Sequence, residues 1–93
     1  MNTLAQLLRK ARLSKDVTLK EASSALGMPL SNLHSLERGY RTNPKMDTLY
    51  KLADYYGISI DEICISCERV PSDVFYKICK HPKLLQVIRE WNE

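Results

Sequence analysis

Four residues in the last third of the chain are of types that bind zinc. They are Cys64, Cys67, Cys79 and His81, and protein zinc sites favour thiolate and imidazole ligands. Two residues separate Cys64 from Cys67, as in many pairs of zinc ligands. Only one residue separates Cys79 from His81, and this spacing is shorter than usual for a ligand pair. Cys79 follows Ile78 on an apolar helix face, and buried thiols often act as small hydrophobic residues. We therefore predict no metal and no cofactor, with structural zinc and a redox switch as alternatives.

A second set of residues could bind a polyanion. Residues 31–44 read SNLHSLERGYRTNP, which has a nearly neutral start and positive charges at Arg38 and Arg41. Lys45 follows at the next position. Phosphates attract arginine and lysine, whereas base edges are addressed by hydrogen bonds and apolar contacts. The pattern is compatible with a DNA-reading part followed by a phosphate-binding part.

Helices must position these residues, because apolar residues recur at helical spacing along the whole chain. Three predicted helix starts have the spacing of a capping box, in which Gln or Glu follows Ser or Thr by three positions. These are Thr3 with Gln6, Thr18 with Glu21, and Ser59 with Glu62. No strand-like alternation occurs. We predict an all-α fold with a five-helix domain at 1–65, a linker at 66–71 and a short C-terminal helical pair at 72–93.

Several turn residues predict where the helices begin and end. Asp16 is predicted in a left-handed turn conformation, and Pro29 in the first turn of the third helix. We expect the fourth helix to open at Asn43-Pro44, Ser72 to cap the sixth, and His81 to cap the last. The inward positions of the second helix are small, which lets another helix approach closely; they include Ala22, Ser23 and Ala25.

Composition narrows the functional class. The 93 residues carry a net charge of +3, which permits a polyanionic partner without requiring one. No apolar run approaches the roughly 20 residues of a membrane span, and Gln6 and Arg9 interrupt any secretory pattern at the start. Three cysteines without a paired framework favour a reducing cytosol. Motifs of phosphate loops, nucleophile elbows and zinc peptidases are absent, so we predict a cytoplasmic protein that is not an enzyme.

Residues 18–39 have the arrangement of a helix-turn-helix, two short helices joined at Gly27. In that motif the second helix lies in the DNA major groove and reads base edges near its N-terminus. The segment TLKEASSALGMPLSNLHSLERG resembles the Xre and lambdoid phage repressors, and TNPKMDTLYKLADYYGISIDEI at 42–63 is similar to the fourth and fifth helices of their five-helix fold. The pair ER followed by TNP is most similar to Sin-type repressors of Gram-positive bacteria, which also carry a C-terminal helical pair.

The resemblance implies a role for each matching residue. Leu30, Ser31 and Ser35 fall where such repressors contact base edges, and Asn32 lies beside them. Helical spacing adds His34 to the same face, where it either reads a base or makes no contact. The backbone-contacting residues are Thr18, Lys20, Arg38, Arg41, Thr42, Asn43 and Lys45. Glu37 and Arg12 match an internal salt bridge of the family, so Glu37 is assigned a structural role.

Three residues depart from the family pattern on this surface. Leu19 stands where a phosphate-contacting Gln is usual, Pro29 where Ser or Thr is common, and Leu30 where a polar base-reader often lies. Leu30 could pack on a thymine methyl group, with DNA shape contributing to specificity. These departures also keep open a second function, a protein-interaction regulator similar to an antitoxin or antagonist that works through its C-terminal helices.

The C-terminal helical pair is too small to bury enough apolar surface alone. It packs either on the first domain or on another subunit, and we favour the second because two-fold operators match two-fold proteins. The predicted interface residues are Phe75, Ile78, Leu84, Leu85, Ile88 and Trp91. We predict a homodimer through residues 72–93 that binds double-stranded DNA with paired half-sites and represses by operator occupancy, with a small regulator protein as a further possible partner of these helices.

Overall fold

The computed structural model describes residues 3–92, which form seven helices and no strand. The helices are α1 (Leu4–Lys15), α2 (Leu19–Leu26), α3 (Leu30–Glu37), α4 (Met46–Tyr56), α5 (Ile60–Ser66), α6 (Ser72–Lys80) and α7 (Lys83–Arg89). This order confirms the predicted all-α fold with five helices and a C-terminal pair. No helix among these residues combines the length and apolar character needed to cross a membrane.

Two of the three predicted capping boxes are complete. At α1 and α2 the Thr hydroxyl accepts from the backbone three residues later, and the Gln6 or Glu21 side chain accepts from the cap N–H. At α5, Ser59 Oγ accepts from the Glu62 N–H at 3.0 Å, but within the described chain the return bond is not formed. The prediction for Ser59 and Glu62 is therefore half wrong.

Proline positions shift several helix starts from their predicted places. Pro29 has a ψ of 142°, so it caps α3 from outside instead of lying in its first turn. The fourth helix begins at Met46, not at Asn43, and Lys45 is its cap. Pro44 keeps Asn43 out of the helix, because the residue before a proline is pushed out of the helical region.

The C-terminal pair shows the same effect. Pro71 caps α6, and Ser72 is the first helical residue and not the predicted cap. His81 caps the end of α6, whereas Pro82 caps the start of α7, so the expected role of His81 at the last helix is wrong.

The first five helices each end before a residue with positive φ, which reverses the chain. These residues are Asp16, Gly27, Gly39, Gly57 and Glu68, and Asp16 at φ 57° confirms its prediction. After α5 the Glu68 N–H donates to the Ile65 carbonyl at 3.0 Å and the Arg69 N–H to the Cys64 carbonyl at 2.8 Å. This is the Schellman pattern, which usually carries glycine at the left-handed position. The turn directs Arg69 back toward the start of α4.

Leucines from α1, α3 and α4 form the centre of the core, joined by residues of α5. The largest fully buried side chains are Leu8, Leu33, Leu36, Leu49, Leu52, Ile63 and Cys64. Ala22 and Ser23 are buried on α2, which confirms its small inward face, but Ala25 is exposed and was wrongly placed there. Burying the leucines of α3 fixes which of its faces remains at the surface.

An ion pair between the partly exposed Arg12 and the buried Glu37 fixes the end of α3 to α1. Arg12 Nε lies 3.1 Å from Glu37 Oε1 and 2.9 Å from Oε2, and Arg12 Nη1 donates to the Val17 carbonyl at 3.2 Å. The Glu37 side chain is only 3% exposed. Its hydrogen bond to Arg12 raises the pKa of the guanidinium. The predicted salt bridge is thus confirmed, and it joins α1, the turn before α2, and α3.

We expect Glu37→Ala to lower the free energy of unfolding by about 2 kcal/mol, because it removes the buried carboxylate that joins α3 to α1 and leaves the partly exposed Arg12 without its charged partner. The double substitution Arg12→Met with Glu37→Met should cost less, since it leaves no unpaired charge. Urea denaturation measures both losses. Glu90→Ala is the control, because Glu90 is exposed and its side chain accepts a hydrogen bond from the Gln86 side chain on the same surface. Equal stability of Glu37→Ala and this control would contradict the role of the pair.

Candidate nucleic-acid interface

The outer face of α3 presents short polar and apolar side chains to solvent. Leu33 and Leu36 are buried, which turns Leu30, Ser31 and His34 outward, where all three are exposed. The left-handed Gly27 ends α2 and redirects the chain so that α3 packs across it. The arrangement leaves three predicted base-reading residues on one accessible face near the helix start.

The starts of α2, α3 and α4 differ in their capacity for an anion. At α2 the Thr18 N–H and hydroxyl oxygen are both engaged with Glu21, and these hydrogen bonds lower the pKa of the Glu21 carboxyl. Within the described chain, α3 and α4 begin without a side-chain cap. Free first-turn N–H groups and the positive end of the helix dipole attract phosphate. The starts of α3 and α4 are therefore better anion sites than that of α2, where Thr18 retains only its hydroxyl hydrogen as a donor.

A shallow apolar notch opens between the starts of α2 and α3. We call it the α2–α3 notch. Its walls are almost wholly carbon and come from Thr18, Leu19, Lys20, Leu30, Ser31 and His34. Five of these six residues were predicted to contact DNA. Leu19 was not, and the fold alone places it beside them.

A basic cleft of about 280 Å³ lies between the start of α3 and α4. Its lining includes Asn32, Arg41 and Lys45, which were predicted to contact DNA, and Thr48 and Lys51, which were not. Lys45, Thr48 and Lys51 are three residues apart, so helical spacing from Lys45 could have identified the added pair. Asn32 is half-buried here, on a different side of α3 from the notch.

A second cleft, of about 520 Å³, separates the start of α1 from the loop after α3. Arg38, Arg41 and Thr42 line it, together with Arg9, which sequence reasoning did not select. Ser35 is half-buried at the base of this loop, where its carbonyl accepts from the Tyr40 and Arg41 N–H groups at 3.0 and 3.2 Å. Arg41 therefore borders both clefts, and Ser35 helps to shape the loop that carries it.

Arg69 holds the loop before α4, although it lies in the predicted linker. Its Nη1 donates to the Asn43 side-chain oxygen at 3.3 Å and also to the Pro44 carbonyl. Nearby, the Ser72 N–H donates to the Tyr50 hydroxyl at 3.3 Å. Asn43 keeps its amide NH2 as a donor for a phosphate. No sequence motif points to Arg69, because the turn after α5 alone returns it to this loop.

The four candidate zinc ligands occupy different environments. Cys64 is buried, Cys67 half-buried and Cys79 exposed, so the expectation of a buried Cys79 is wrong. Burial raises the pKa of Cys64 and of Cys67, which disfavours the thiolate that binds metal or reacts. Over residues 3–92 no three His, Cys, Asp or Glu side chains converge as a metal site.

The predicted interface residues of the C-terminal pair lie at the surface. Among residues 72–89 none is buried, and Ile78 alone of the six is half-buried. The others are 40–69% exposed: Phe75, Leu84, Leu85, Ile88 and Trp91. The C-terminal pair was expected to pack either on the first domain or on another subunit. In the structure its apolar side chains are not buried against the first five helices.

Comparison with known proteins gives one family and several relatives. The helix-turn-helix family model HTH_3 matches residues 8–63. The HTH-type transcriptional regulator DdrOP3 of Deinococcus deserti is 38% identical over 60 residues, 64% of this chain and 46% of its own length. ImmR of Bacillus subtilis, an HTH-type transcriptional regulator, is 41% identical over 59 residues, 63% of this chain and 46% of its own.

A phage protein extends the comparison. The cryptic phage CTXphi transcriptional repressor RstR of Vibrio cholerae is 30% identical over 61 residues, 66% of this chain and 54% of its own length. The chain thus spans about half the length of these relatives. No solved structure matches the chain. The narrower resemblance to Sin-type repressors stays a prediction.

We expect Arg69→Ala to loosen the loop before α4 without unfolding the chain. Trypsin cleavage of the folded protein after Arg41 or Lys45 should become at least about fivefold faster, because Arg69 loses two hydrogen bonds to the loop and each contributes about 1 kcal/mol. Cleavage is followed by mass spectrometry. Arg89→Ala is the matched control, since it removes an exposed arginine of α7 and also one trypsin site. Equal cleavage rates in the two variants would show that Arg69 does not hold the loop.

Proposed function

The chain belongs to the Xre-type helix-turn-helix family of DNA-binding transcriptional regulators, and we propose that it is a dimeric, sequence-specific repressor that acts by occupying an operator. One observation carries the proposal. The exposed outer face of α3 starts without a side-chain cap and is flanked by Arg38, Arg41 and Lys45. A neutral reading face beside clustered positive charge is what the division between base and phosphate contacts requires.

The start of α3 would address base edges. Ser31 can donate or accept a hydrogen bond, His34 can do either according to its tautomer, and Leu30 offers apolar contact. Asn32 and Ser35 are half-buried at the edges of this face. They are therefore better placed to position the exposed residues than to contact bases directly. The exposed residues are therefore the ones whose substitution should change which operator is preferred.

Phosphates would be bound on both sides of the reading face. The free first-turn N–H groups of α3 and α4, with Arg41 and Lys45, supply donors in the basic cleft, and Lys51 adds charge there. If Lys20, Arg38, Arg41 and Lys45 each neutralise one phosphate, a dimer makes about 8 contacts, and log K falls with log salt at a slope of about −7. Salt dependence of this size would distinguish DNA binding from an uncharged protein contact.

Dimerisation is assigned to residues 72–93, after a domain at 1–65 and a linker at 66–71. The exposed apolar side chains of α6 and α7 need a partner. A second copy of the chain supplies an identical apolar surface and the two-fold symmetry of paired half-sites. The same surface could bind a regulator protein that competes with self-association, which is the second candidate function. In either case we infer a cytoplasmic protein that is not an enzyme.

Arg41→Ala and Ser31→Ala should weaken DNA binding in different ways. An operator is first selected from a genomic fragment library, and affinity is measured by fluorescence anisotropy. Arg41→Ala should weaken operator and unrelated DNA by similar factors and reduce the salt slope by about 1 per protomer. Ser31→Ala should change the preference at one operator base pair by about fivefold or more.

Lys10→Ala is the control for these measurements. Lys10 is exposed on α1 and lines a different depression, beside Tyr56 and Gly57, so its loss should leave affinity and preference nearly unchanged. A wild-type salt slope near zero, or enrichment of no fragment, would refute DNA binding by this surface and favour the protein-interaction function.

Ile88→Glu should convert the dimer to a monomer, because it places a charge in the apolar surface of α7. Sedimentation velocity at micromolar concentration measures the change, and affinity for paired half-sites should fall toward that for one half-site. Gln86→Glu is the matched control, since it adds the same charge to the same helix about 160° away from Ile88 in helical projection. An undiminished dimer in Ile88→Glu would remove α7 from the interface.

A further inference from the structure

The α2–α3 notch is an apolar concavity in a polar surface. Leu30, 49% exposed, forms one wall, and the half-buried Leu19 forms the other. The carbon atoms of Thr18, Lys20, Ser31 and His34 complete it, with the charge of Lys20 free to remain in solvent. Single exposed leucines are ordinary, but two leucines from different helices that enclose a common concavity can hold a small apolar group.

The position of the notch limits what that group can be. It lies at the N-terminal end of α3 and continues into the face that bears Ser31 and His34, the part of a recognition helix that meets base edges. The apolar group that bases display in the major groove is the 5-methyl of thymine, and the other groups at the groove edge are hydrogen-bond donors or acceptors.

We propose that the notch receives the 5-methyl group of one thymine in each operator half-site. This assignment rests on the proposed DNA-binding function and names the base that Leu19 and Leu30 select. The selection has an attractive part, which is burial of the methyl, and a repulsive part. An amino or carbonyl group pressed against carbon walls would lose its water without gaining a hydrogen bond.

The notch explains how Leu19 and Leu30 can serve recognition although neither makes hydrogen bonds. A polar residue at position 19 would reach toward phosphate, whereas Leu19 packs against the core and closes the inner wall of the notch. The exposed Leu30 closes the outer wall. Both walls are needed, because one leucine alone would leave the methyl group half in water.

The test replaces thymine by uracil, which removes the methyl group and keeps the base-pairing edge. The full chain is titrated with the selected operator, in which one symmetric pair of thymines at a time is changed. We expect one pair to lower affinity about fifteenfold, because burying each methyl contributes about fourfold. The remaining pairs should change affinity by about twofold or less.

Leu30→Ala should remove this discrimination between thymine and uracil at that pair. Leu13→Ala is the control, since Leu13 is 69% exposed on α1 and lies outside the notch; it should retain full discrimination. Leu30 is the preferred position for the variant because its exposure makes Leu30→Ala compatible with folding. Discrimination that persists in Leu30→Ala would show that the methyl is read elsewhere and would overturn the assignment.

Two further outcomes separate this inference from the function beneath it. Tight, salt-dependent operator binding with no uracil effect at any position would overturn the notch assignment and leave the repressor function standing. Failure to enrich any operator would remove both. The pair 5-methylcytosine with guanine presents the same methyl group, so at that position it should bind more tightly than unmethylated cytosine with guanine. No gain from the added methyl group would overturn the notch assignment.

Discussion

The ion pair between Arg12 and Glu37 determines how the rest of the surface is presented. It ties the end of α3 to α1, and the bond from Arg12 to the Val17 carbonyl adds the turn before α2 to the same junction. Because Glu37 is almost completely buried, an unpaired carboxylate there would be strongly destabilising. Together with the buried Leu33 and Leu36, the ion pair orients α3 so that Leu30, Ser31 and His34 face outward.

The helix starts on this surface differ in how many free N–H groups they offer to an anion. The complete capping box of α2 satisfies donors that a phosphate would otherwise meet, whereas α3 and α4 start with no side-chain cap in the described chain. The basic cleft lies between those two starts. Positive side chains and helix dipoles thus act at the same place, which strengthens the case for backbone contacts there over the start of α2.

Arg69 connects the two parts of the chain. It bonds to the loop that carries Arg41, Thr42 and Asn43, and a few residues later the buried Pro71 and the bond from Ser72 to Tyr50 fix the start of α6. The segment predicted as a linker is consequently ordered at both ends.

Local signals in the sequence predicted the helices and much of their packing. The capping boxes of α1 and α2, the left-handed Asp16, the core leucines and the Arg12 partner of Glu37 are all as expected, since each depends on spacing within one helix or on a family pattern. The helix starts beside prolines were misplaced by one to three residues. There the fixed φ of proline was read correctly, but the extended ψ that makes Pro29 and Pro71 caps is set by the neighbouring structure.

The sequence by itself determined the all-α class, the helix-turn-helix and the separation of a neutral segment from a positive one, because periodicity and residue type encode them directly. Tertiary structure alone decided which of the candidate residues lie together. Leu19 joins Leu30 in a notch, Arg41 meets the α4 face that carries Lys45 and Lys51 in a cleft, and Arg69 returns to Asn43. These groupings join residues up to 26 positions apart, and such contacts depend on the angles at which helices pack, which no local pattern records.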